Sequence, residues 1–223
     1  MNDVKHITPE KEPSSFKLIS TLGIAGFLSG LILVSVYLFT KPYIAQNRAD
    51  ALQAAVFEVL PGTTYFEKMY WDGSNITSFE GSVETDIELI YFGYDSTKQF
   101  TGVAISGEAG GYQDVIMALA GYNPDAEIVI GLKVLESKET PGLGDKIILD
   151  DDFQENFKQL AVVPEIEVVK KGEKVSDNQI EAITGATISS KTIGKLLQKS
   201  METWKVRIDN YFESNAKVNN DED

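Results

Sequence analysis

The 23 residues from Leu18 to Thr40 carry no charge, and no other feature constrains the chain as much. Leu18, Ile19, Leu22, Ile24, Phe27, Leu28, Leu31, Ile32, Leu33, Val34, Val36, Leu38 and Phe39 put apolar side chains on every face of a helix. A core helix of a globular protein is apolar along one stripe only. Crossing a hydrocarbon core takes about 20 apolar residues. Lys17 and Lys41 bracket the run as interfacial anchors would. Gly23, Gly26 and Gly30 are small residues that let another helix approach closely. A secretory signal has a shorter apolar region and a small-residue cleavage site, and Tyr43-Ile44-Ala45 is a poor one. The run reads as an uncleaved single span. Lys5, Lys11 and Lys17 precede it, while Lys41 and Arg48 follow. The excess of positive charge retained inside then places the N-terminus in the cytoplasm. The expectation is a single-pass protein of the cell (inner) membrane, with its large C-terminal part on the extracytoplasmic, periplasmic side.

Composition narrows the chemistry. The chain has 20 Lys+Arg against 34 Asp+Glu, a formal charge of −14. That balance argues against nucleic acid, which is bound mainly through Lys and Arg. It also argues against binding to an anionic membrane surface. With no Cys, disulfides, Cys-ligated iron–sulfur clusters, c-type haem and thiol nucleophiles are excluded. The one His, His6, precedes the span, which excludes a Ser-His-Asp triad or a His-rich zinc site in the main domain. No catalytic side chain and no metal site is assigned, and any redox chemistry must come from an organic cofactor. Asp150, Asp151 and Asp152 read as the charged N-terminus of a helix.

Beyond the span, the spacing of Ala51, Leu52, Ala55, Val56 and Val59 is helical up to the stop at Pro61-Gly62. Runs rich in aromatic and β-branched residues predict strands at 64–71, 88–94, 100–105, 127–135 and 166–169, separated by turn residues. The stretch 109–122 reads as mostly strand or short helix, and 150–160 as a short helix. From Ser190 to about Tyr211, Ile193, Leu196, Leu197, Met201, Trp204 and Ile208 recur at helical intervals. The organisation expected is a cytoplasmic segment 1–17, a span 18–40, a linker helix 41–62, a domain 63–212 and an acidic disordered tail 213–223. The domain is expected to be α+β, with mainly antiparallel strands flanked by helices.

Two segments stand out as candidate sites. Thr184-Gly185-Ala186-Thr187-Ile188-Ser189-Ser190 precedes the long helix. Its small residues allow a tight turn, and Ser189 or Ser190 could cap the helix. A phosphate there would meet free N–H groups and the positive end of the helix dipole, with Thr187 and Lys191 adding a hydroxyl and a charge. A plain helix cap satisfies the same residues. Glu139-Thr140-Pro141-Gly142-Leu143-Gly144 is a defined loop, because Pro fixes one dihedral and the glycines permit positive φ. In isolation it reads equally as a connecting turn.

Taken together, with the anchor and the stretch around Gly107, Gly110, Gly111 and Tyr112, these segments resemble the FMN-binding RnfG and NqrC family. RnfG and NqrC are parts of ion-translocating electron-transfer complexes, and the chain's length is closer to RnfG. The family carries FMN joined by a phosphoester to the last Thr of Asp-x-x-(Ser/Thr)-Gly-Ala-Thr. Here the pattern is Glu181-Ala182-Ile183-Thr184-Gly185-Ala186-Thr187, with Glu181 in place of Asp. Ser137 stands where the family often has His.

The resemblance implies FMN on Thr187. It places Thr184, Gly185, Ala186, Ser189, Ser190 and Lys191 at the phosphate end, and Glu139, Thr140, Gly142, Leu143 and Gly144 at the isoalloxazine ring. It further implies an electron-relaying member of an Rnf-type translocase that completes no reaction alone. Its partners would be membrane, iron–sulfur and flavin subunits, and a flavin transferase would mature it. The alternatives are a membrane-anchored covalent flavoprotein serving another extracytoplasmic reductase, and the NqrC component of a sodium-translocating NADH:quinone reductase.

Overall fold

The computed structural model describes residues 14–79, 81 and 88–220, the last five by backbone alone. Most of the predicted cytoplasmic segment, including His6, lies outside the described residues, as do residues 221–223. The chain divides into two compact units, Met1–Asp50 and Ala51–Asp223.

Among the described residues the first unit is helical from Ser15. A single helix, α1 (Ser15–Val59), starts there and ends in the second unit. The span and the linker helix expected separately are therefore one helix, with Pro42 inside it. Proline removes one backbone bond and crowds the preceding turn. The sequence around Pro42 is free of Gly for several turns on either side, and the helix continues past it because the residues on both sides keep propagating it at one bond each. Side chains from Phe16 to Ile44 are exposed around its circumference. By length and composition this helix is fit to cross a membrane. Both threonines of the span bond inward: Thr21 Oγ1 donates to Lys17 O at 2.8 Å and Thr40 Oγ1 to Val36 O at 2.9 Å. Hydrocarbon offers such groups no other partner.

The second unit is built on a seven-stranded antiparallel sheet. Its strands are β1 (Tyr65–Trp71), β2 (Ile76–Ser78), β3 (Leu89–Tyr94), β4 (Phe100–Gly110), β5 (Val115–Asn123), β6 (Ile128–Glu136) and β7 (Leu160–Ala161). The order across the sheet is β2-β1-β3-β4-β5-β6-β7. Two short helices, α2 (Lys146–Leu149) and α3 (Asp151–Glu155), follow β6. A separate parallel pair, β8 (Glu167–Val169) and β9 (Gln179–Glu181), leads into the long helix α4 (Thr187–Asn220). The predicted α+β, mainly antiparallel architecture is what the chain adopts.

Alternation of side chains gives the sheet two apolar faces. On one, Ile90, Phe92, Val103, Ile105, Ile116 and Ala118 pack with Ile193, Leu196, Leu197, Met201, Trp204 and Ile208 of α4. On the other, Leu89, Tyr91, Ala104 and Leu119 meet Ala55, Val56, Val59 and Leu60 at the end of α1. Gly121 and Gly131 lie under that helix end, where a Cβ would run into the Val59 carbonyl.

Several local readings change. The stretch 109–122 is the end of β4, a turn at 111–114 and most of β5. The helix expected over 150–160 is shorter, and its acidic residues do cap it: Asp150 accepts a bond from Phe153 N at 3.0 Å. Helix α4 runs on to Asn220, into the segment expected to be disordered. Phe212 anchors the helix just before that segment. It stacks on Phe92 at 5.8 Å and meets Phe100 at 4.9 Å, which ties the helix to the sheet beyond the last aliphatic contact.

Candidate functional site

The two motifs form the same local structure. In Thr140–Leu143 the Leu143 N–H bonds to Thr140 O at 3.1 Å, and Gly142 sits at φ 77°. In Ile183–Ala186 the Ala186 N–H bonds to Ile183 O at 3.0 Å, and Gly185 sits at φ 85°. A four-residue turn with positive φ at its third position favours Gly there. Both glycines face open space, so backbone conformation and not crowding calls for them.

Glu139 joins these turns to a third segment. Its carboxylate is buried, 6% exposed. Oε1 accepts the Tyr112 N–H at 2.8 Å and the Gln113 N–H at 3.2 Å, both in the turn between β4 and β5. Oε2 accepts the Ser189 hydroxyl at 2.6 Å, in the first turn of α4. Gly111 and Gly144 flank the group so closely that a Cβ on either would overlap a carboxylate oxygen. Thr192 adds a tie between α4 and the end of β4 by donating to Gly110 O at 3.0 Å. A buried carboxyl group needs such donors to offset its lost hydration.

Helix α4 starts earlier than its periodicity indicates. Thr187 is its first residue, and the first helical amide bond runs from Ser190 N to Ala186 O at 2.9 Å. Ser189 and Ser190 thus lie inside the first turn and do not cap it. Both are buried and their protons are engaged: Ser189 donates to Glu139, and Ser190 donates to Ala186 O at 2.9 Å while accepting from Ile183 N at 3.1 Å. Ala186 is buried as well. Thr184, Gly185, Thr187 and Lys191 are exposed around the helix start. On the second motif Pro141, Gly142 and Leu143 are exposed, Thr140 is half-buried, and Gly144 and Glu139 are buried. The predicted residues come together, divided into an exposed set and an inner brace.

Beside Thr184 lies a cleft of about 170 Å³, lined also by Lys146, Asp150, Phe153, Lys171 and Glu181. Glu181, the departure from the family pattern, directs its carboxylate to the Gly172 N–H at 3.0 Å, and its own N–H is held by Asn156 Oδ1 at 3.0 Å. The part the motifs leave unannounced is the turn 111–114, which contributes backbone amides that no side-chain pattern encodes. Its signal is the paired Gly110-Gly111 at a hairpin tip.

Residues 111–202, the segment that contains Tyr112, Glu139 and both motifs, match the FMN-binding domain family. Over 202 residues the chain is 30% identical to the G subunit of the ion-translocating oxidoreductase complex of Methanosarcina acetivorans, covering 91% of this chain and 96% of that protein. The chain belongs to this G-subunit family. A further member, the G subunit of the Na⁺-translocating ferredoxin:NAD⁺ oxidoreductase complex of Acetobacterium woodii, is 26% identical over 89% of this chain and 97% of its own length. A Clostridium ljungdahlii member named for proton translocation is 28% identical over 85% and 91%. Likeness at this level is thus shared by G subunits named for different ions. Among solved structures, NqrC of Shewanella oneidensis superposes with a TM-score of 0.58 at 19% identity, over 78% of this chain and 99% of that one. The G-subunit family and NqrC share this fold.

Proposed function

We propose that this member of the G-subunit family is a membrane-anchored electron carrier of an Rnf-type ion-translocating complex, with FMN joined by a phosphoester to Thr187 Oγ1. The observation that carries the reading is an exposed Thr187 at the start of α4, beside the Glu139 brace. The flavin, when bound, supplies reversible electron transfer that no side chain of a Cys-free chain offers. Thr187 provides the ester oxygen and does no acid–base work. The positive end of α4 and Lys191 offset the phosphate charge within a domain of net negative charge. Thr184 and Gly185 leave room for the phosphate, while Thr140, Gly142 and Leu143 offer backbone and apolar contact to the ring. Glu139, Ser189, Ser190, Ala186 and Gly144 act from beneath by fixing the backbone of those exposed residues. The partners are the membrane, iron–sulfur and flavin subunits of the complex, and a flavin transferase forms the ester.

The test is in-gel flavin fluorescence of the denatured full chain, co-expressed with a flavin transferase. A fluorescent band is expected, absent in Thr187→Ala. A dark wild-type band sinks the reading. Sidedness has a separate readout: in this Cys-free chain, Val175→Cys, 87% exposed, should react with a membrane-impermeant maleimide in intact cells or spheroplasts. Reaction only after lysis reverses the orientation.

A further inference from the structure

Glu139 brings together three segments, and each ends in an exposed apolar side chain. Tyr112 on the β4–β5 turn is 67% exposed, Leu143 on the second motif 51%, and Ile188 in the first turn of α4 54%. Single exposed apolar residues are ordinary on protein surfaces. Here three from separate segments each are, or adjoin in sequence, a residue that meets one buried carboxylate: Tyr112 itself, Leu143 before Gly144, and Ile188 before Ser189. We call these three the rim. The Tyr112 N–H and the Ser189 hydroxyl are bonded to opposite oxygens of the same carboxyl group. Ser189 is two residues past Thr187, so a single carboxyl group separates the Tyr112 backbone from the first turn of α4. Of the three rim residues only Tyr112 has an aromatic face, the surface best suited to a planar heteroaromatic ring.

We infer that Tyr112 lies against the isoalloxazine ring of FMN carried on Thr187, with Glu139 as the positioning residue that holds its backbone in register. This rests on the attachment reading above. The phenol ring covers one face of the flavin from water and takes no part in proton transfer. Contact has an optical consequence. Light-excited flavin takes an electron from a touching phenol and returns it, so emission is lost without net chemistry. Trp204 is too distant to give that signal: it is 17 residues further along α4 than Thr187, about 25 Å at 1.5 Å per residue.

The experiment compares native emission of the detergent-purified, flavinylated full chain with its in-gel emission after denaturation, for wild type, Tyr112→Leu and Tyr112→Trp. An exposed turn residue is replaced in each case, so folding is preserved. The expected result is equal in-gel bands, a severalfold rise of native emission in Tyr112→Leu, and quenching restored in Tyr112→Trp. Equal bands with unchanged native emission in Tyr112→Leu overturn the contact and leave the attachment standing. A dark wild-type band overturns the attachment, and the contact with it.

Discussion

The two faces of the sheet are held by opposite means. Against α4, side chains reach across: Leu196, Met201, Trp204 and Ile208 fill the space above β3, β4 and β5. Against the end of α1, main chain approaches main chain, because Gly121 and Gly131 leave the Val59 carbonyl where a Cβ would stand. One face is defined by what is present and the other by what is left out. The candidate site belongs to the first kind, since Ser189 and Thr192 extend from α4 to reach Glu139 and the β4 end.

If this contrast is right, the α4 face should fail by removal. Trp204 is 2% exposed and carries Arg207 stacked at 5.1 Å. Trp204→Ala should cost about 3–5 kcal/mol by denaturant titration, the range for emptying a large buried site. Glu139→Ala strands two amides and a hydroxyl at once. It should cost about 3 kcal/mol, from an unmet-donor penalty of roughly 1–3 kcal/mol per group partly relieved by water. Hydrogen exchange at Tyr112 and Gln113 should rise with it; slow exchange there in the variant would break the brace.

The α1 face should fail by addition. Gly121→Ala, which drives a methyl into backbone, should cost about 2–3 kcal/mol. Gly107→Ala is the control on the α4 face, because the nearest atoms to its methyl would be side-chain atoms of Ser200 and Leu196. About 1 kcal/mol is expected there, since rotamers can shift. Equal costs for the two would erase the distinction.

The smallest effect concerns Tyr122, whose buried hydroxyl has no partner among the described residues. Tyr122→Phe should change stability by less than about 1 kcal/mol, with gain as readily as loss. Burial pushes the Tyr122 phenol up from 10 to about 12, with Lys205 opposing. A raised folded-state value means full stability below pH 10, lost as pH climbs through 12. The Phe variant should therefore show a shallower alkaline decline by circular dichroism.

Much of this was legible in the residues. Strands β1, β3, β4 and β6 are long enough for alternation and turn residues to announce them. Strands β2, β7 and β9 have two or three residues, too few to show a period. Helix α4 was visible from its core stripe but not at its ends, where Thr187 opens it six residues before the first aliphatic residue of that stripe, Ile193, and Phe212 secures it through aromatic contacts distant in sequence. Thr187 and its neighbours were legible as a site through motif resemblance. That Glu139 and Ser189 turn toward each other was not, because a pair 50 residues apart leaves no local pattern.

That separation bears on the order of events during synthesis. The brace draws on the hairpin tip at 111–114, the loop at 139 and the helix begun at 187, so its last member is made 50 residues after Glu139. A nascent or truncated polypeptide in which α4 has not formed leaves Thr187 off the helix start and unbacked by Glu139. A modifying enzyme that recognises this surface would act on finished molecules alone, and flavinylation would mark chains that had completed their fold.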